Sequence, residues 1–351
     1  MTRDEILEAI GRDDTIENMD LSGLDLSGAD LTGARFENVL LRGAKFSGGK
    51  IQRTGFKDCD LSGAIMEDVD LTKVFWAHLN LQDAVLRRSI LAKAVLSGAD
   101  LSRADLSGAD LNRAVMDNTV LDGAVLYGAK MLRTMCYKAS LKGVDLSGAD
   151  LERAIFFESD LTGARLHGAR LHKTFLRNCV LPGQDFKGVE FTVVQAGGAD
   201  LSGSDFTGAD ITQSNFMEAN LAGAVFRRVK GARSIFMSAK LTEARFEGAW
   251  LFQSNFEGAD LTAADLSRVQ ADQSHLAKAK CRAAVFKSAA LNQVDFSQAD
   301  LTAADFSGAS LNRAKFHRII EDHTMWTGAS RLGATGTDQD LAEAEDDRPT
   351  A

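Results

Sequence analysis

"LSGADLSRADLSGADLNRA", residues 96–114, sets a leucine at every fifth position: Leu96, Leu101, Leu106 and Leu111. An amphipathic helix needs apolar residues at i, i+3, i+4 and i+7, and a half-buried strand needs alternation, so a period of five fits neither. The frame extends far beyond this stretch. From Leu21 to Phe316, every residue numbered 5k+1 is Leu, Phe, Ile, Met, Trp or Cys except Ala196, Gly231 and Ala271, and no insertion shifts it. Two residues earlier the side chain is small, with Met19, Leu24, Leu79 and Gln184 as departures. One large and one small residue per five, repeated without interruption, marks a stacked array in place of the globular domains that 351 residues would otherwise suggest.

The units "ADLSG", "ADLTG", "ANLAG", "SDFTG" and "ADFSG" resemble the pentapeptide-repeat family over about residues 19–318. The resemblance implies an all-β solenoid: a right-handed quadrilateral (four-sided) parallel β-helix, one pentapeptide per side and twenty residues per coil. Sixty sides then give about fifteen coils. The twenty-residue columns support this independently. Leu21, Leu41, Leu61 and their successors to Leu301 are all leucine apart from Cys281, while phenylalanines gather in the columns of Phe186 and Phe36. Ala196, Gly231 and Ala271, with Pro182 and the inward Gln184, predict a slackened core in the second half. The expected domains are a helical cap over 1–18, the β-helix over 19–318, and a C-terminal cap with an acidic, disordered tail over 319–351. Thr2 and Glu5 stand at capping-box spacing for a helix over residues 2–10.

Residues 1–20 hold two basic and seven acidic residues, and residues 317–351 hold three and eight. The chain's net charge of −9 therefore belongs to its ends, and the repeats are close to neutral. Within the repeats, one outward column reads Arg53, Lys73, Lys93, Arg113, Arg133, Arg153, Lys173. Like charges in line repel unless salt, a partner or neighbouring acids relieve them, and the competing reading of this column is a solvated edge partly neutralised by Asp110, Asp150 and Glu152. The column beyond it is apolar: Phe75, Val95, Val115, Met135, Ile155 and Phe175, widened by Tyr137 and Phe157. In the family this chain resembles, the residue before the large one of each repeat points outward, so the resemblance implies an exposed apolar row, which predicts an interface with a partner protein or a second copy of the chain. The competing reading is that apolar side chains merely favour strand positions or lie beneath a terminal segment.

Catalytic chemistry is not expected. Cys59, Cys136, Cys179 and Cys281 fall on inward positions and offer neither a disulfide nor CxxC spacing. His167 and His172 stand one pentapeptide apart without a third ligand, and the regularly spaced aspartates follow from the frame. "SGG" at 47–49 lacks the strand–turn–helix setting of a phosphate loop. No cofactor, metal or small-molecule substrate is expected. Neither direct nucleic-acid binding nor a membrane role is favoured. With no apolar leader in the sequence, a cytoplasmic bacterial protein is expected, secreted if at all by a route without a signal peptide.

The leading functional expectation is a non-catalytic interaction scaffold. Two alternatives come from resemblance. Family members that protect DNA gyrase are thought to imitate DNA with an acidic rod, which a neutral repeat region does not favour. Long arrays like "DLSGLDLSGADLTGA", residues 20–34, also resemble type VI secretion accessory proteins and secreted effectors.

Overall fold

Each five-residue side satisfies its own backbone through an arrangement that explains the "ADLSG" composition. In the coil beginning at Asp100, the Leu101 N–H donates to Val120 C=O of the next coil at 2.7 Å, and the Asp100 N–H donates to Leu79 C=O of the previous one at 3.0 Å. Arg103 N–H reaches Asp122 C=O at 2.9 Å, and Ala104 N–H closes the corner onto Leu101 C=O at 3.0 Å. The fifth donor, Ser102 N–H, goes to Asp100 Oδ1 at 2.9 Å. The aspartate is thus a side-chain acceptor for the amide the ladder cannot serve. The alanine and leucine point inward, the Ser102 hydroxyl donates back to Asp100 Oδ1 at 2.6 Å, and the residue after the serine turns the corner at positive φ, where glycine is the least strained choice.

The computed structural model describes residues 1–346, in two compact units that divide between Leu181 and Pro182. The part of the expected tail at residues 347–351 lies outside the described residues. Each unit is built of four-sided, right-handed parallel coils in which residue n pairs with residue n+20. In the first unit, α1 (Arg3–Gly11) begins at the expected capping box: Glu5 N–H donates to Thr2 Oγ1, and Thr2 N–H donates to Glu5 Oε2. It buries Ile6 and Ala9 and contacts β1 (Thr15–Glu17). β1 pairs in parallel with β2 (Arg35–Glu37), and β2 with β3 (Gly55–Lys57). Later sides carry single parallel bridges, because a five-residue side leaves no room for a longer strand between its corners.

In the second unit the core is dominated by two neighbouring columns of rings. Phe206, Phe226 and Phe246 stack at 4.8 and 4.7 Å, nearly parallel, and Phe216, Phe236 and Phe256 at 5.1 and 4.7 Å. Rings of the two columns meet edge to face. At Gly231 the packing corrects the expectation of a slackened core. A Cβ at Gly231 would lie 2.8 Å from Leu251 Cδ2 and 3.0 Å from Ile211 Cγ1, so side chains from the adjoining coils already fill its place. Ala196 and Ala271 are likewise buried. Gly231→Leu, which restores the large residue of the frame, is accordingly expected to destabilise this unit by about 1–3 kcal/mol, read as a lower urea midpoint. An unchanged or higher midpoint would mean that the site holds free space.

The coil register also continues past the expected boundary at 318, as far as Thr335, which pairs with Lys315. Positions 321 and 331, where the frame calls for a large apolar residue, are Glu and Arg and are exposed, so the hydrophobic period lapses, yet the backbone bridges persist and Trp326 stacks on Phe306 at 4.6 Å. Arg331 lies over the Trp326 ring at 4.5 Å. Residues 339–346 then form α2 (Gln339–Asp346), with Ala342 buried.

The aspartate caps link stability to pH. Hydrogen bonds from Ser22 and Ser27 hold Asp20 and Asp25 below the ordinary carboxylate range. At Asp100 burial pushes upward, but hydrogen bonds from Ser102 and Gln82 outweigh it and leave the carboxyl low. Because these folded values lie below the unfolded one of about 3.9, their contribution is complete above that pH and is lost as pH falls through the folded values. Stability is expected to be flat from about pH 5 to 8 and to decline progressively below about 4. Circular-dichroism melts across that range check this, and a melting temperature maintained at the acid end would contradict it.

Candidate functional site

Phe75, Val95, Val115, Met135, Ile155 and Phe175 pair with one another in one unbroken parallel ladder on the first unit. Each immediately precedes a buried core residue, from Trp76 through Leu176, so its own side chain is directed outward. Phe75 is 73% exposed, Phe175 42% and Met135 41%, while Val95, Val115 and Ile155 are half-buried by their ladder neighbours. Two residues along the same side, Tyr137 stacks on Phe157 with centroids 5.4 Å apart and planes at 11°. Lys138 Nζ stands 5.0 Å from the Tyr137 ring centre. A recess of about 400 Å³ opens beside Phe75, lined by Phe56, Lys57, Cys59, His78 and Leu79 among others.

The row occupies the position that the other sides commonly fill with the capping aspartate. Asp105 serves Ser107 N–H at 3.0 Å, Asp110 serves Asn112 at 3.0 Å and Asp145 serves Ser147 at 3.0 Å. Across six coils of the stripe an apolar group replaces that acceptor. Tyr137 N–H turns instead to Asp117 Oδ1, at 3.1 Å.

Arg53, Lys73, Lys93, Arg113, Arg133, Arg153 and Lys173 occupy the corner before this side, all at φ between 57° and 61°. Left-handed backbone costs a side-chain-bearing residue about 1–2 kcal/mol. Other corners of the unit meet that demand with Gly98, Gly108, Gly123 or Gly128. Where they carry a cation instead, an acid often neutralises it: Arg88 pairs with Asp68 at 2.6 Å, Arg103 with Asp83 at 2.7 Å and Lys138 with Glu158 at 3.5 Å. In the basic corner only Arg153 forms an ion pair among the described residues, with Glu152 at 3.8 Å. Of the acids expected to relieve the ladder, Glu152 alone reaches it, and it is shared with Arg170. Asp110 caps Asn112, and Asp150 pairs with Arg170 at 3.5 Å. The basic column therefore stands largely unneutralised. In the second unit the positions on the same twenty-residue sequence period include Gln213, Arg233, Gln253, Gln273 and Gln293, and some of these side chains pair with one another: Arg233 Nε donates to Gln253 Oε1 at 3.2 Å, and Gln253 Nε2 to Gln273 Oε1 at 3.0 Å.

Elsewhere the chemistry-bearing side chains are withdrawn or dispersed. All four cysteines are free and buried. Burial pushes the Cys179 thiol up to about 12 and those of Cys136 and Cys281 strongly upward, so none is a ready thiolate. His167 is exposed and His172 half-buried, and no group of three or more metal-ligating side chains occurs among the described residues. No helix among them is long and apolar enough to cross a membrane.

The fold and this surface define a class: parallel β-solenoids with a five-residue side, displaying ordered columns of side chains. The chain belongs to the pentapeptide-repeat family. The family profile "Pentapeptide repeats (8 copies)" matches residues 16–48, 40–74, 80–118, 99–148, 136–172 and 196–230, and "Pentapeptide repeat region" matches 249–326. Among solved structures, the chain is similar to HetL, a pentapeptide-repeat protein involved in heterocyst differentiation regulation in the cyanobacterium Nostoc sp. strain PCC 7120. The identity is 27%, covering 67% of this chain and 90% of that one, with a TM-score of 0.42. It is also similar to QnrB1, a plasmid-mediated fluoroquinolone resistance protein, at 15% identity over 66% of this chain and 95% of that one, with a TM-score of 0.24. A thylakoid-lumen pentapeptide-repeat protein of Arabidopsis thaliana matches at 26% identity over 28% of this chain and 59% of that one, with a TM-score of 0.14. No curated protein sequence matches the chain.

Proposed function

We propose that this protein is a non-catalytic interaction scaffold whose first unit binds a partner protein along the Phe75–Phe175 stripe and its basic edge. One observation carries the reading: six successive coils place an apolar group where the fold's own hydrogen bonding favours aspartate, beside a corner of unneutralised cations. Neither feature serves the core. Together they have the composition of an interface, an apolar centre with a charged rim. The ladder is ordered before any partner arrives, so docking sacrifices little backbone freedom. Imitation of DNA would call for a column of acids, and this face presents the opposite sign.

The test is affinity capture from a bacterial lysate with the full chain and with a Phe75→Asp, Met135→Asp, Phe175→Asp variant of unchanged circular dichroism. A protein retained by the wild type and lost from the variant supports the proposal. The same proteins retained by both, or none by either, overturns it.

A further inference from the structure

The chain already holds one acidic helix, and the manner of holding shows what an unneutralised corner of this solenoid can grip. α2 is "QDLAEAED", and its Glu345 is held by two corner residues stacked one coil apart. Gln298 Nε2 donates to Glu345 Oε1 at 3.0 Å, and Arg318 Nη1 donates to Oε2 at 3.1 Å. Arg318 Nη2 also reaches Asp346 Oδ1 at 2.5 Å, and the buried His317 lies 3.2 Å from Glu345 Oε2. Gln298 and Arg318 both turn their corners in the left-handed region, at φ 61° and 52°. Long side chains launched from successive left-handed corners thus clamp the carboxylates of a helix.

The first unit repeats that launching geometry at Lys93, Arg113 and Arg133, for which no ion pair exists among the described residues, and sets the apolar stripe two positions further on. We infer that this face receives an acidic amphipathic helix of a partner protein, with the helix's apolar ridge on Val115, Met135 and Ile155 and its Glu and Asp side chains on the basic corner. The inference rests on the interaction reading above and specifies the partner's chemistry. Coils repeat at about 4.8 Å and helical turns at about 5.4 Å, so over three steps the two drift by only about 2 Å, within reach of Lys and Arg side chains. A nucleic acid would satisfy the charges but leave the apolar row facing phosphate and water.

The probe is a fluorescently labelled, stapled helix of about 18 residues, a length of about 27 Å, with leucines along one ridge and glutamates beside it. Its binding to the full chain is measured by anisotropy. The same helix with lysine in place of glutamate, and a DNA duplex, serve as controls. The glutamate helix is expected to bind at least about tenfold more tightly than the lysine helix, and to weaken as salt rises. A Lys93→Glu, Arg113→Glu, Arg133→Glu variant with unchanged circular dichroism is expected to lose the glutamate helix by at least about tenfold and to gain the lysine helix. Equal binding of the two helices, preference for the duplex, or indifference to the charge reversal overturns the inference. If the glutamate helix fails while a captured protein is still lost from the stripe variant, only the acidic-helix inference falls. If that variant retains the same proteins as the wild type, the interaction reading falls with it.

Discussion

Phe226→Ala is expected to destabilise the second unit by about 3–5 kcal/mol. Phe226 is fully buried, stacks on Phe206 at 4.8 Å and on Phe246 at 4.7 Å, and meets Phe216 and Phe236 edge to face. Its removal forfeits the transfer energy of the ring and leaves a cavity in a core one side chain thick. It also strips stacking partners from two rings at once. Collapse is restricted because the backbone on both flanks is fixed by hydrogen bonds from Phe226 N–H to Arg245 C=O and from Val225 N–H to Ser204 C=O. In a solenoid each coil contacts mainly its neighbours, so the loss should appear first as faster hydrogen exchange in the coils around 206–246 and then as a lower urea midpoint. A loss under about 1.5 kcal/mol would show that the ring column is replaceable by relaxation of the coil.

The contrast between Phe226 and Gly231 also shows what the sequence discloses and what it leaves hidden. The coil itself is legible because every side repeats the same three demands: a large inward residue, a small inward residue, and an acceptor for one stranded amide. Gly231 violates the first demand on paper, but Ile211 and Leu251 lean into its place, a compensation between residues twenty apart that no local pattern encodes. The coils past 318 were hidden for the converse reason. Glu321 and Arg331 break the apolar period while the backbone ladder, which needs no particular side chain, continues to Thr335. α2 owes its place to Gln298, His317 and Arg318, contacts distant in sequence that its eight residues do not announce. At the candidate site, the apolar row could be read from the sequence because Phe75, Val95, Val115, Met135, Ile155 and Phe175 recur at intervals of twenty. The solitude of the basic corner could not, since it depends on Asp110 turning to Asn112 and Asp150 to Arg170.

Replacing Phe75, Met135 and Phe175 with aspartate is expected to weaken partner binding by at least about 100-fold while leaving the fold as stable as before. The first half follows from area. Full burial of such a side chain contributes about 1.5–3 kcal/mol, and scaled to the 73%, 41% and 42% still exposed in the free chain the three anchors together contribute about 2–5 kcal/mol, about two to three decades in affinity. The second half follows from the backbone. An aspartate at position 75 or 175 occupies the place from which Asp105 and Asp145 cap the amide two residues on, so Ala77 and Arg177 gain the acceptor that other sides possess. A surface-to-acid change that would disrupt an ordinary apolar strand therefore restores the repeat's own pattern here. The melting temperature of the triple variant is expected to match or exceed that of the wild type. A lower one would mean that the stripe contributes to the solenoid's stability. Equal or higher stability together with lost binding would mean that the fold's preferred residue has been displaced at these positions for the sake of contact with another molecule.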